Sequence, residues 1–227
     1  MIALRLALRN LKRNRRRTVL TAVALAVGIM VLITARGFLD GIDRQSIDNL
    51  IDYDLADIKA FHPGYLDDDF PDLKLAIHQV DSLLGVIRGT DASVSATARL
   101  EMAGLLISGI EETFTRVIGV NPDTDPRVFK TLQAVVKGET LADDTPRALI
   151  GDRLASDLGL DIGDIITVLV RSAPGALNPR DLPISGIIAT GHPKVDQSVV
   201  YIPLAVARDM ALLPDCLLYT SDAADEL

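Results

Sequence analysis

Residues 18–35 form a run of 18 without a single charged side chain, TVLTAVALAVGIMVLITA. As a helix the run is roughly 27 Å long at about 1.5 Å per residue. The hydrocarbon core of a bilayer is about 30 Å thick. Only a helix satisfies its own backbone polar groups in lipid. Continuing through Arg36, Gly37, Phe38 and Leu39 completes a span over residues 18–39. Arg36 can then snorkel to the headgroups, and Phe38 lies near the outer interface. A cleaved leader is the competing reading, because Ile33-Thr34-Ala35 offers a poor small-residue cleavage site. However, the apolar run exceeds the roughly 7–15 residues of such leaders. A buried core helix fits worse, given the basic residues in front of the run.

The flanks orient the span. Arg5, Arg9, Lys12, Arg13, Arg15, Arg16 and Arg17 precede it; Asp40, Asp43, Asp48 and Asp52 follow it, with only Arg44 between them. The positive-inside rule puts the N-terminus in the cytoplasm, and these seven basic residues are the candidate topology determinants. Residues 1–39 carry a net charge of +8, whereas residues 40–215 hold 15 basic and 28 acidic side chains. A basic end, an apolar run and an acidic body follow one another as in a membrane protein. The acidic body excludes nucleic acid as a partner, since phosphate binding needs clustered Lys and Arg. The only cysteine is Cys216, so no intrachain disulfide can form.

Five segments follow from this patterning. Residues 1–17 are a basic cytoplasmic stretch. Arg5, Arg9, Lys12 and Arg16 recur at helical spacing beside Leu4, Leu8 and Leu11, either as an amphipathic surface helix or as a plain topogenic tail. Residues 18–39 are the transmembrane helix. Residues 40–55 keep a 3.6 period through Ile42, Ser46, Ile47, Leu50 and Ile51, which predicts a stalk helix. Residues 56–215 form the extracytoplasmic domain, and residues 216–227 are a tail of different character.

The outer domain reads as strands mixed with short helices. Strands are expected over 56–62, 93–100, 104–108, 114–120, 148–151, 165–170, 183–190 and 199–202. Helices are expected over 73–88, 125–132 and 152–158, and from Pro203 to Leu213. The polar stretch Arg171 to Asp181 reads as a long loop, and His192-Pro193 as a turn. Hairpin-like pairs with few helices make the fold class α+β: one transmembrane helix with a stalk, then a mixed α/β domain.

Catalytic motifs are missing. The three histidines, His62, His78 and His192, show no zinc-ligand spacing. Asp67, Asp68 and Asp69 lack the frame of a calcium loop, so a solvated loop is expected. Neither a phosphate-binding glycine loop nor a nucleophile elbow occurs. The chain is not expected to be an enzyme or to hold a cofactor or metal.

Several stretches carry a resemblance. The opening LALRNLKRNRRRTVLTAVALAVGIMVLI resembles the start of ABC-transporter permeases of the LolC/LolE type, which belong with MacB and FtsX in one superfamily. Four later stretches agree in order with the family's outer core: Arg116 to Val128, Ala148 to Leu169, Ile184 to Leu204, and the following AVARDMALLP. The LGLDIGD element, Leu158 to Asp164, sets two glycines and an acid before a strand, as a tight turn requires. The HPGY stretch, His62 to Tyr65, is most similar to the LolC/LolE branch.

The resemblance implies a permease subunit of the inner membrane, with a periplasmic domain made of a porter-like part and a β-rich part. It implies a cytoplasmic ABC ATPase, a second permease subunit in a homo- or heterodimer, and contact with membrane lipid. ATP-driven movement of the membrane helices would move the outer domain, and the cargo would be a lipoprotein passed to a periplasmic carrier. It carries over no catalytic residue. Such permeases have three further transmembrane helices, which are not in this chain. The tail CLLYTSDAADE resembles an out-of-frame sequencing adapter, so native sequence is expected to stop near Asp215. The alternative function is a single-span anchored module, FtsX-like or other, that binds or regulates a partner without transport.

Overall fold

A computed structural model describes residues 15–56, 58–65, 73–77, 80–90, 95–109 and 111–213. The chain divides into two compact units, Met1–Asp48 and Asn49–Leu227. The expected amphipathic segment 1–14, the acidic triplet at 67–69, His78 and the tail beyond 213 lie outside the described residues.

The first unit is built on α1, Arg15–Leu50, a single 36-residue helix. Its portion Arg15–Ile42 is long and apolar enough to cross a membrane, and none of its apolar window is covered by protein. Leu20, Met30 and Leu32 are about 70% exposed (71, 69 and 70%). Apolar side chains left uncovered in this way carry a cost in hydration. Two hydroxyls in the run are satisfied internally: Thr21 Oγ1 donates to the Arg17 carbonyl at 2.9 Å, and Thr34 Oγ1 to the Met30 carbonyl at 2.8 Å. Both of these hydroxyls are thereby paired along the helix itself.

In the second unit the described residues form seven strands and four helices. They are α2 Val80–Thr90, β1 Arg99–Ser108, β2 Glu111–Val120, β3 Val135–Gly138, β4 Ala148–Gly151, α3 Asp152–Leu158, β5 Ile165–Arg171, β6 Leu177–Ile188, α4 Pro193–Ser198, β7 Val199–Pro203 and α5 Leu204–Ala211. The sheet order is β3-β6-β4-β7-β2-β1-β5, and β5 also pairs with β6. The N-terminal half of β6 pairs with β5, and its C-terminal half with β3 and β4. Six strands thus close into a ring, and β3 lies outside it on β6.

Alternating side chains fill both sides of the ring. Val200 and Ile202 of β7 join Leu106, Val168, Leu182 and Met210 in one core; Val199 and Tyr201 join Ile118, Leu149 and Ile188 in another. A strand buried on both faces reads as a continuous apolar run, as VVYIP does. Helix α5 covers the first core through Val206, Ala207 and Met210. Gly119 permits this approach, because a Cβ there would lie 2.3 Å from the Ala207 Cβ. In LGLDIGD, Gly159 (φ 62°) caps α3 in the left-handed region, and Gly163 (φ 90°) turns the chain into β5.

Five expectations need correction. No strand forms in the described part of 56–62, because Ala56 turns left-handed (φ 54°). In place of a helix over 73–88 stand a tight turn at Leu73–Leu75 and α2 at Val80–Thr90. The two strands expected at 93–100 and 104–108 are one strand, β1, continuously paired with β2. The helix over 125–132 is two 3-10 turns, Asp125–Arg127 and Thr131–Gln133. The stretch read as a loop, Arg171 to Asp181, is mostly the β5–β6 hairpin. Three elements were unexpected or misplaced: β3, helix α4 in place of the turn at His192, and β6 beginning at Leu177.

Candidate functional site

Helix α1 does not stop cleanly. It passes into a π-helical turn, Ile51–Leu55, closed by the Ala56 N–H on the Ile51 carbonyl at 3.0 Å. Such wide turns are uncommon and concentrate at functional sites. A left-handed alanine costs roughly 1 kcal/mol, so the turn has to be held from outside. Three cations of the second unit hold it, at three successive residues.

Asp52 is bound twice. Its carboxylate meets Lys130 Nζ at 2.7 Å, and its carbonyl accepts the Lys130 N–H at 2.9 Å. The Tyr53 carbonyl accepts from the Arg99 guanidinium at 3.0 Å. The Asp54 carboxylate meets Arg116 at 2.8 Å.

Arg99 is the centre of this clamp. It opens β1, opposite Val120. Its Nε and one terminal nitrogen grip Asp125 Oδ1 and Oδ2 at 2.7 and 2.9 Å, and the same terminal nitrogen donates to Thr131 Oγ1 at 3.1 Å. The guanidinium lies 3.3 Å from the Phe129 ring centroid. Such stacking suits a planar, weakly hydrated cation. Asp125 is set in place by a turn: Asn121 Oδ1 accepts the N–H groups of Asp123 and Thr124, and the Asn121 carbonyl accepts that of Asp125.

Next to it, Glu101 and Arg99 share one face of β1, two residues apart. Glu101 pairs with Lys59 and lies 3.7 Å from Arg116. Burial alone pulls the Arg116 guanidinium down, but Asp54 and Glu101 push its pKa above the ordinary value. Burial, then the charge of Glu101, raises the Tyr65 phenol, with Arg116 opposing. The clamp is therefore a chain of alternating charges: Asp54, Arg116, Glu101, Lys59.

Of the residues singled out from the sequence, Arg15, Arg16 and Arg17 stand exposed at the start of α1, while Arg5, Arg9, Lys12 and Arg13 fall outside the described residues. Sequence reasoning missed Arg99, Arg116 and Asp125; the two arginines were signalled only by a basic residue in otherwise strand-like surroundings, and Asp125 lay within a turn. Of the histidines, His62 Nδ1 lies 2.7 Å from the Pro63 carbonyl, and His192 stands at the N-cap position of α4, its backbone carbonyl accepting the Val195 and Asp196 N–H groups. Among the described residues no three His, Cys, Asp or Glu side chains group as metal ligands would.

The family described as the MacB-like periplasmic core domain matches residues 18–224. Two curated relatives are the lipoprotein-releasing system transmembrane proteins LolC of Xylella fastidiosa strains Temecula1 / ATCC 700964 and 9a5c. Each is 22% identical over 214 residues, covering 88% of this chain and 49% of the relative. The chain thus spans about half the length of these relatives. Among solved structures, the extracellular domain of the ABC-type transporter YknZ from Gram-positive bacteria aligns with a TM-score of 0.45. It is 17% identical, over 61% of this chain and 70% of that one.

Proposed function

Because the chain belongs to the MacB-like periplasmic core domain family, we propose that it couples ATP hydrolysis by a cytoplasmic ABC ATPase to movement of its outer domain. The chain is a permease-type component of the MacB/FtsX superfamily. The finer reading is that the coupled work is release of a lipoprotein from the inner membrane to a carrier. Its support is the resemblance to relatives named for lipoprotein release. The proposed orientation keeps the seven basic residues from Arg5 to Arg17 in the cytoplasm, next to an ATPase and anionic headgroups. A second permease subunit completes the proposed assembly.

The observation that carries the coupling is the clamp. The segment Ile51–Leu55 continues the long apolar helix in sequence, and Lys130, Arg99 and Arg116 fasten its consecutive residues. A passive spacer needs no such attachment. A lever does, because displacement reaches the core only through contacts stiffer than the motion they carry.

The test uses the protein with its ATPase in proteoliposomes. Cys216 is replaced by serine, and spin labels are placed at residues 40 and 194. ATP is expected to change the distance between the labels, and Lys130→Met with Arg116→Gln to reduce that change. A distance indifferent to ATP while the ATPase is bound and turning over would overturn the coupling. Lipoprotein transfer to a carrier, followed in the same vesicles, tests the cargo: ATP-dependent movement without transfer would overturn lipoprotein release alone.

A further inference from the structure

The clamp also forms one wall of a groove. A cavity of about 960 Å³ lies among the segment 51–65, helix α2 and the start of β1. Leu55, Ile58, Leu83, Leu84, Ile87 and Leu100 line it with carbon. Ile58 is 90% exposed, and Leu55 and Leu83 are 41% and 38% exposed. Side chains of this kind stay uncovered only at a cost in hydration. The volume is near the top of the roughly 300–1,000 Å³ of small-molecule sites, whose walls are likewise mostly apolar with a few placed polar groups.

The polar groups have one sign to spare. Asp52 and Glu101 line the groove, but both are paired with cations. Arg127 and Arg208 also line it. Among the described residues neither has a carboxylate partner, so the wall offers two available positive charges to whatever enters. An apolar tail with an anionic head satisfies both parts. Ile51, the residue directly after α1, is one of the lining residues, so part of the wall follows in sequence from the helix that holds the proposed membrane span.

We propose that this groove binds the acyl chain of an anionic membrane lipid, with Arg127 and Arg208 receiving the headgroup. The inference rests on the membrane placement of α1 and not on the identity of any cargo. Because Asp52, Arg99 and Glu101 belong to both the clamp and the groove wall, occupancy and clamp geometry are linked. A ligand that favours one arrangement of the turn is bound more tightly in that arrangement.

The experiment uses the full chain in phosphatidylcholine nanodiscs. The probe is a palmitoyl lysophosphatidylglycerol with a photoactivatable diazirine in its chain, compared with the phosphocholine analogue. Crosslinks from the anionic probe are expected within residues 51–65 and 80–100, besides those in 18–39. Leu55→Trp and Leu83→Trp each fill the groove from a half-exposed position, and should abolish the outer crosslinks while sparing those in 18–39. Arg127→Ala with Arg208→Ala should lower outer labelling roughly tenfold, as two charge-assisted contacts are lost. Crosslinks confined to 18–39 would overturn the groove as a lipid site, and equal labelling by both probes would overturn the role given to the arginines. Should the tryptophan variants fail to fold, the crosslink map of the unmodified chain decides alone. Labelling needs no transport, so its failure would leave the permease reading standing.

Discussion

Arg99 and Asp125 form a two-pronged pair at 2.7 and 2.9 Å, with side chains only 4% and 0% exposed. Removing one partner leaves the other as an uncompensated buried charge. Arg99→Met or Asp125→Asn should therefore destabilise the outer domain by about 3–5 kcal/mol, whereas replacing both with apolar residues should recover much of that loss. Denaturant unfolding followed by far-UV circular dichroism measures it. A single-variant loss below about 1 kcal/mol would contradict a buried pair.

The outer members of the clamp are worth less for folding and should be visible in dynamics. Lys130 is 59% exposed in its ion pair with Asp52, so Lys130→Met should cost about 1 kcal/mol or less. Arg116→Gln removes a half-buried link to Asp54 and Glu101. Amide exchange at Ala56, whose N–H closes the π turn, should speed up in Arg116→Gln with little change in melting temperature. Unchanged exchange there would mean that the turn holds without Arg116.

Alkaline sensitivity should come from Tyr201. Burial pushes its phenol up to about 12 from an ordinary 10.0, with Arg99 and Arg116 pulling the other way. The folded state thus keeps the proton where the unfolded chain loses it. The stabilising term is complete below the unfolded pKa and is lost as pH rises from about 10 toward about 12, a fall of roughly 2–3 kcal/mol. Tyr201→Phe should flatten this part of the stability–pH curve. Thr131 is the polar neighbour of the hydroxyl and keeps its bond from Arg99 in the variant, so the substitution leaves no group there unsatisfied.

Close packing at Gly119 gives a third stability test. A Cβ there would stand 2.3 Å from the Ala207 Cβ and force α5 off the sheet. Gly119→Ala should cost about 1–3 kcal/mol by overpacking, and Ala207→Gly in the same chain should relieve part of it. Additive losses in the double variant would show that the two sites do not touch.

Topology is tested on spheroplasts, from the periplasmic side of the membrane. Lys194 is exposed on the second unit and should react with a membrane-impermeant amine reagent. Changing Arg13, Arg15, Arg16 and Arg17 to Gln weakens the positive-inside signal and should leave a fraction of molecules with Lys194 protected. Complete protection of Lys194 in the unmodified chain would reverse the orientation.

Some of this architecture was legible in advance. Strands β4 and β7 are continuous apolar runs buried in the core, α5 turns an apolar face to it, and α1 stands out by the length of its uncharged run. The N-terminal half of β6 was hidden by Pro179 and Pro183, which suggest a loop. Both lie where β5 is the paired strand, before β3 and β4 join at residues 184–188. A missing N–H is tolerated on a strand with one open side. Residues 56–62 alternate like a strand, but Ala56 changes the chain's direction and Lys59 is held by Glu101. The clamp was the least legible feature. Arg99 meets Asp125, 26 positions on, and Tyr53, 46 positions back. Only the fold brings these together, and no local pattern in the sequence records it.

The closed circuit of β1, β2, β7, β4, β6 and β5 has a mechanical consequence. Tension applied at residue 51 enters through Arg99 on β1 and Arg116 on β2, each of which has neighbours on both flanks somewhere along its length. The circuit closes on itself, so none of its six strands is an edge along its whole length. In the proposed lever, a load entering at these two strands is shared among several ladders instead of being borne by one.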